Sequence, residues 1–366
     1  MPFEPNRFTV LIERRSWRGR WLALGATVAA ILGLGVVPQA HAQNNLLKVS
    51  LDLGTAIVSP TTPKVRWAKE VNGKRNLQVV IVANTTDPEM VNLRSAVAAA
   101  GGSVHVRMPG LRIVTATLPY DQVPLIALRT DVRYVVPNRV TQRTASVLEQ
   151  STFTLYPNVR ANSTKTSYTG LDGNGVGIAV LDSGVMKGHE AFNTATGQTR
   201  VARNVPLIGS SQSSWSSGKD LTSSPQPGSA DQNTYDSQVA NDNTTVHDGY
   251  GHGTHVASVA AGRPATYGTA PDLTGIAPGA KVIDVKVLGD DGAGTLSDTL
   301  EGIQWAIYNA KTYNIRVLNL SLAAASTDSW QVDPLCAAVR SATAAGLTVV
   351  VAAGNYGRGG SGSIAY

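Results

Sequence analysis

Four short apolar runs in the C-terminal half of the chain most constrain its fold. They lie at residues 176–181, 282–287, 317–322 and 347–352, and runs of this length and composition are typical of strands buried on both faces. Stretches with helical periodicity or high alanine content separate the runs, at residues 255–261, 296–311 and 334–345. This alternation predicts an α/β fold with a parallel sheet and helices on both faces.

A smaller pattern precedes these runs. An apolar run, a helical stretch, two strand-like segments, a short helical stretch and a last apolar segment follow one another within residues 77–140. This order of strands and helices predicts a small ferredoxin-like α+β unit. We interpret residues 43–76 as a spacer, and residues 206–242, which are rich in Ser, Asn, Gln and Asp, as a polar insertion.

The N-terminus has the three-part pattern of an export signal. A basic segment leads into an apolar stretch at residues 21–37, which is followed by the small-residue site Ala40-His41-Ala42. A membrane anchor is the alternative, because the stretch approaches a bilayer-spanning length. The cleavage site favours a signal peptide over residues 1–42, and therefore a secreted, extracellular or periplasmic protein with no stable membrane anchor after cleavage. The pair Arg14-Arg15 leaves the export route open.

Charge and cysteine content argue against a nucleic-acid-binding protein and against a protein stabilised by internal disulfides. About half of the formal charge of +6 comes from residues 4–20, and no later stretch groups Lys and Arg with aromatic residues. A nucleic-acid partner is therefore not expected. The single cysteine, Cys336, cannot form an internal disulfide and lies in a helical stretch as a small apolar residue.

Three polar side chains occur where catalytic groups of a parallel sheet are expected. Asp182 ends the first apolar run, His252 lies among glycines at the start of a small-residue helix, and Asn355 follows the last run. Polar groups at the carboxyl ends of parallel strands meet at one edge of the sheet. Taken singly, each of the three is equally typical of a turn or a helix start.

The order Asp182, His252, Asn355 resembles that of the subtilisin-like serine peptidases, the subtilases. The segment Gly251-His-Gly-Thr-His-Val-Ala carries the resemblance most strongly. The resemblance implies that His252 is the general base and that Asp182 fixes its tautomer and stabilises the imidazolium. It implies that the Asn355 side chain donates to the oxyanion.

The resemblance also implies a peptide-binding cleft between residues 288–294 and 319–323, in which an extended peptide pairs through main-chain hydrogen bonds. Ala323 stands where the family usually has glycine. The unit at residues 77–140 is then a pro-domain that inhibits the peptidase intramolecularly. The implied substrate-binding residues are Gly292, Ala293, Gly294, Ser321, Leu322, Ala323 and Gly354.

The function implied is a serine endopeptidase that acts on extracellular proteins or peptides, with no cofactor required for catalysis. The family's Gly-Thr-Ser-Met-Ala-like segment is not found in the sequence, and Ser361 and Ser363 lie in a Gly/Ser-rich stretch typical of a loop. We therefore expect residues 141–366 to be the N-terminal part of a peptidase domain whose serine lies beyond this chain, so that the chain alone is inactive. A catalytically dead secreted fragment or a peptide-binding pseudoenzyme is the alternative.

Zinc, a nucleotide and calcium are the ligands that the sequence brings into question. Zinc bound by His247, His252 and His255 is not favoured, because no H-E-x-x-H pattern or matching carboxylate accompanies them. Nucleotide binding by the glycines at 173–177 is not favoured, because they precede a strand instead of following one. Structural calcium remains an open hypothesis, since the polar insertion contains Asp231, Asp236 and Asp242.

Overall fold

The computed structural model describes residues 47–143, 172–209, 229–242, 247–263, 274–326 and 328–354. Residues 1–42, where a signal peptide is predicted, and Asn355, the predicted oxyanion residue, lie outside these ranges. Among the described residues, no helix is long and apolar enough to span a bilayer.

The first sheet is antiparallel and belongs to the N-terminal part of the chain. Strand β2 lies at its centre, with β4 and then β3 on one side, and with β1 and β5 sharing the other side. Helices α1, α2 and α3 are connected to these strands. The elements are α1 (Leu51–Val58), β1 (Ala68–Val71), β2 (Lys74–Ala83), α2 (Val91–Ala99), β3 (Ser103–Met108), β4 (Ile113–Pro119), α3 (Val123–Ala127) and β5 (Val132–Pro137).

From β2 to β5 the order strand, helix, strand, strand, helix, strand agrees with the split arrangement predicted from the sequence. Residues 43–76 differ from the predicted spacer, because they contain α1, β1 and the first residues of β2. The side chain of Arg75 holds α1 against the sheet by donating to the carbonyl oxygens of Ala56 and Ser59 at 2.8 and 2.9 Å. Arg139 also binds this helix, by donating to Asp52, and such contacts between distant residues are not encoded in the local sequence.

The second sheet is parallel, as predicted, with the order β8, β9, β7, β11, β13. Three helices connect its strands, and a further helix, α4, lies within the predicted polar insertion. The elements are β7 (Gly177–Asp182), β8 (Val201–Pro206), α4 (Ala230–Val239), α5 (His252–Ala261), β9 (Lys281–Lys286), α6 (Leu296–Asn309), β11 (Ile315–Leu320), α7 (Pro334–Ala344) and β13 (Thr348–Val351).

Both faces of the parallel sheet are covered, which confirms the predicted α/β architecture. On one face, Val180 of β7 packs with Ala257 of α5. On the other face, Leu181 packs with residues of α6 and α7, and the same cluster includes Val80 and Ile113 of the antiparallel sheet. One face of the antiparallel sheet therefore packs in the same hydrophobic cluster as one face of the parallel sheet.

A third, small sheet joins the N-terminal unit, which comprises the described residues 47–139, to the C-terminal unit, which comprises the described residues from 172 to 354. Strand β6 (Val140–Arg143) follows the antiparallel sheet directly and lies between β10 (Ala293–Thr295) and β12 (Leu322–Ala324), antiparallel to both. The main chain of the N-terminal unit thus continues into a gap between two segments of the C-terminal unit.

Candidate active site

Asp182 lies at the carboxyl end of β7, the central strand of the parallel sheet, and is fully buried. Its Oδ1 atom accepts hydrogen bonds from the backbone N–H of Ser183 at 2.7 Å and from the ring of His252, whose Nδ1 is 2.7 Å away. Only 8% of the His252 side chain is exposed. The carboxylate therefore binds Nδ1 and leaves Nε2 as the ring nitrogen that can exchange a proton with a substrate or nucleophile.

His252 is the first residue of helix α5, and the close approach of this helix to β7 depends on glycine. A Cβ atom at Gly253 would lie 2.1 Å from the carbonyl oxygen of Gly184 and 3.0 Å from the Cβ of Asp182. Any side chain at position 253 would push the helix start away from the strand end. The glycine after the histidine thus sets the Asp182–His252 distance.

A second buried carboxylate, Asp248, connects the same two elements. Its Oδ1 accepts from the Ser183 hydroxyl at 2.8 Å and from the N–H of Gly251 at 2.7 Å, and its Oδ2 accepts from the N–H and hydroxyl of Thr254 at 2.8 and 2.7 Å. Asp248 thereby satisfies N–H groups at the start of α5 that have no partner within the helix. The sequence analysis does not predict this role, and its only local signal is an aspartate four residues before the helix start.

We expect Asp248→Asn to lower the free energy of unfolding by about 2 kcal/mol, because an amide replaces one of the two accepting oxygens with a donor and leaves buried groups unpaired. Urea unfolding of the variant measures the change. The exposed Asp121 offers a matched substitution, Asp121→Asn, which should change little. Equal stabilities of the two variants would contradict the assigned role.

His247 forms a third buried contact at this edge. Its Nδ1 is hydrogen-bonded to Oδ2 of Asp284 on β9, and the Nδ2 of Asn204 on β8 donates to the same oxygen at 2.7 Å. Burial raises the pKa of Asp284, although the hydrogen bond with His247 opposes that shift. The pair anchors the start of the 247–251 loop, and sequence reasoning considered His247 only as a zinc ligand.

The three histidines of this segment are not arranged as metal ligands. His255 is on the next turn of α5, and burial together with the neighbouring His252 lowers the pKa of its imidazole. Across the described ranges, no group of three or more His, Cys, Asp or Glu side chains is placed to hold a metal ion. Of the aspartates considered for calcium, Asp242 pairs with Arg203 and Asp236 accepts from Asn309, and Asp231 lies in the first turn of α4.

The predicted substrate-binding segments form the two sides of a cleft that β6 occupies. Thr141 pairs with Gly294 and Gln142 with Ala293 on one side, whereas Gln142 pairs with Ala323 and Arg143 with Leu322 on the other. The N–H of Arg143 also donates to the carbonyl oxygen of Gly292 at 3.3 Å. The two segments thus hold an extended chain between them, and that chain is the protein's own.

The remaining predicted residues are placed as follows. Ser321 links β11 to β12, and its hydroxyl accepts from Nδ2 of Asn319 at 3.0 Å. Gly354 follows β13 with a φ of +87°, a backbone conformation that favours glycine. Asn355, the next residue, lies outside the described part of the chain.

The sequence was also compared with known proteins. The model of the subtilase family (Peptidase_S8) matches residues 173–366, which is more than half of the chain. Serine protease AprX of Bacillus subtilis is 42% identical over 124 residues, which cover 32% of this chain and 28% of that protein. Subtilisin Savinase of Lederbergia lenta is 34% identical over 197 residues, which cover 54% of this chain and 53% of that protein.

The solved structure of fervidolysin from Fervidobacterium pennivorans, a keratinolytic enzyme related to subtilisin, aligns with this chain with a TM-score of 0.49 and 19% sequence identity. The alignment covers 80% of this chain and 42% of the fervidolysin chain. The chain spans between about a quarter and about half of the length of the two curated relatives. The family match covers β7 to β13, the elements that carry Asp182 and His252. The chain belongs to the subtilase family.

Proposed function

We propose that this chain is part of a secreted serine endopeptidase precursor in which Asp182 and His252 are two members of the catalytic triad. The observation that carries the proposal is the 2.7 Å hydrogen bond between these side chains, next to a cleft that holds an extended peptide segment. The family membership supports the same reaction class.

In this mechanism His252 takes the proton from a serine hydroxyl as it attacks the scissile carbonyl, and later returns it to the leaving amine. Asp182 holds the ring in the tautomer with hydrogen on Nδ1 and stabilises the imidazolium that forms. Asn355 would donate to the oxyanion of the tetrahedral intermediate. The mechanism thus assigns the base to His252, its partner to Asp182 and the oxyanion donor to Asn355, and its nucleophile is a serine hydroxyl.

We further propose that the unit at residues 77–140 is the inhibitory pro-domain and that β6 blocks the cleft. Three features support this: β6 is continuous with β5, it fills the space between β10 and β12, and it pairs with both strands. A substrate chain cannot pair with β10 and β12 while β6 is in place, because each strand edge binds one partner.

The test is covalent labelling of the full-length protein by a serine-directed phosphonate, together with cleavage of an unstructured protein such as casein. We expect the protein to be labelled and to cleave casein, and we expect the extent of labelling and the rate of cleavage to increase after the pro-domain is removed. Binding of a peptide matching residues 138–145 without labelling or cleavage would instead support the peptide-binding alternative. If the protein neither bound this peptide nor was labelled, both the peptidase proposal and the peptide-binding alternative would be contradicted.

Export predicts a defined N-terminus. If the signal peptidase cleaves after Ala42, we expect the secreted precursor to begin at Gln43. Intact-mass measurement or N-terminal sequencing of the protein from culture medium or periplasm checks this. A variant with both Ala40→Leu and Ala42→Leu should accumulate with its signal peptide attached, because the signal peptidase requires small residues at these positions. Recovery of normally processed protein from this variant would contradict the assigned cleavage site.

A further inference from the structure

Arg143, the last residue of β6, contacts the C-terminal unit with both its backbone and its side chain. The backbone pairs with Leu322 and donates to the carbonyl oxygen of Gly292. The guanidinium carbon lies 4.7 Å from the centroid of the Tyr250 ring. This distance is within the range of a cation–π contact, in which the negative face of the ring attracts the cation.

Tyr250 is held in place beside the catalytic pair. It lies two residues before His252, and its side chain is half-buried. A Cβ atom at Gly292 would approach the ring to 3.0 Å, and Gly292 has a φ of +74°, so this turn lies directly against the tyrosine. The ring is therefore a fixed wall of the cleft at the position that Arg143 occupies.

The charges of the neighbouring loop favour a cation at this position. Residues 289–292 include Asp290 and Asp291. Asp290 is paired with Lys286 at 2.7 Å, whereas Asp291, which is exposed, accepts from the N–H of Ala293 at 3.0 Å. The two carboxylates of this loop are thus accompanied by one paired lysine, Lys286 at the end of β9. The surplus negative charge disfavours an acidic side chain beside Tyr250.

Within β6, the Tyr250 ring contacts the side chain at position 143 and not the side chain of the preceding residue. Gln142, the preceding residue, is exposed, because successive side chains of a strand point to opposite faces. Position 142 therefore offers a matched control within the same segment.

From this geometry we propose that Tyr250 is a specificity-determining residue that selects peptides with arginine at the position that Arg143 occupies in β6. The proposal rests on the proposed peptidase function, since it assumes that a substrate takes the place of β6. Arginine is preferred over lysine because its planar guanidinium stacks on an aromatic ring and is less strongly hydrated. A neutral or acidic residue loses the attraction.

The contact itself is tested in the intact chain by a double-mutant cycle, with amide hydrogen exchange at residues 141–143 as the measurement. Tyr250→Leu keeps an apolar side chain but removes the ring. We expect it to accelerate exchange about fivefold, the change in the opening equilibrium that corresponds to losing a half-buried cation–π contact. Tyr250→Phe keeps the ring face and should retain protection.

The cycle is completed with Arg143→Leu, in which Tyr250→Leu should add no further acceleration. In the Gln142→Ala background, Tyr250→Leu should keep its full effect. Equal acceleration by Tyr250→Leu with and without Arg143 would overturn the proposal, because the tyrosine would then act through packing alone.

Selectivity is tested with peptides based on residues 140–145, Val-Thr-Gln-Arg-Thr-Ala, in which arginine is replaced by lysine, citrulline or glutamate. Citrulline has the shape of arginine without its charge. We expect kcat/KM to fall about fivefold for citrulline and further for glutamate, and the arginine preference to disappear in Tyr250→Leu. Hydrolysis without an arginine preference would contradict the specificity proposal alone. If the full-length protein hydrolysed none of the peptides after removal of its pro-domain, the peptidase function would be contradicted, and the exchange cycle would still decide the Arg143–Tyr250 contact.

Discussion

Replacing His252 with alanine is expected to lower kcat/KM for peptide hydrolysis by about 10⁴-fold or more, the magnitude known for the loss of one member of a serine peptidase triad. In the proposed mechanism the imidazole of His252 accepts the proton, and no other described histidine ring is bonded to Asp182. Asp182→Asn should cost about 10⁴-fold, because an amide that donates to Nδ1 holds the ring in the wrong tautomer. Both variants should bind peptide nearly as tightly as the unaltered protein.

A matched control is His189→Gln, since His189 is exposed and caps a single short turn away from the cleft. We expect its kcat/KM to be unchanged. Hydrolysis rates of the purified full-length variants with a peptide substrate, measured after removal of the pro-domain, provide the measurement. Activity retained by His252→Ala would refute the assigned mechanism.

Arg139→Ala is expected to lower the free energy of unfolding by about 3 kcal/mol, because it leaves a buried carboxylate without its cation. Arg139, in the link between β5 and β6, donates to Asp328 at 2.6 Å and, through two atoms, to Asp52 of α1 at 2.9 Å. The side chains of Arg139 and Asp328 are only 6% and 3% exposed. Urea unfolding with a global fit provides the measurement.

Arg133→Ala is the matched control for this substitution. Arg133 is exposed on the neighbouring strand β5 and donates to the carbonyl oxygen of Gln331 at 3.0 Å. We expect a change below about 0.5 kcal/mol, as for most surface substitutions. Similar losses for the two arginines would show that burial of the Arg139 pair contributes nothing special.

The ion pair between Arg139 and Asp52 predicts that the free energy of unfolding depends on pH in the acid range. Burial alone raises the pKa of Asp52, but hydrogen bonds from Arg139 and Ser50 outweigh it and lower the pKa below its ordinary value of 3.8. A carboxylate with a depressed pKa contributes stability that is present above the unfolded-state pKa and is lost as the pH falls through the folded-state pKa. Unfolding free energies measured from about pH 6 to about pH 3 should therefore fall less steeply in Arg139→Ala than in the unaltered protein.

The predictable part of this fold is the part encoded locally. Apolar runs such as residues 176–181 and 282–287 predict buried parallel strands, and the structure has β7 and β9 there within one residue at each end. The order of Asp182 and His252 places both side chains at the same sheet edge, where they are in fact hydrogen-bonded. The prediction for Asn355 stays a prediction.

The remaining features depend on pairings between distant residues. Asp248 caps α5 while bonding Ser183, 65 residues away, and Arg139 meets Asp328 at a separation of 189 residues. No local period encodes such contacts, since they form only after the sheets have assembled. Helix α4 was also missed, because its sequence is polar and only residues such as Tyr235 reach the core.

The position of β6 has a consequence for the concentration at which the cleft is blocked. Strand β6 is covalently continuous with the chain that leads to β7, so its effective concentration at β10 and β12 is on the order of millimolar. A competing peptide with the same intrinsic affinity as β6 must exceed that value to displace it. One cut between Arg143 and Gly177 would turn rebinding into a second-order process, whose rate falls with dilution. The same contacts would then block the cleft in a concentrated compartment and release it after export into a large volume.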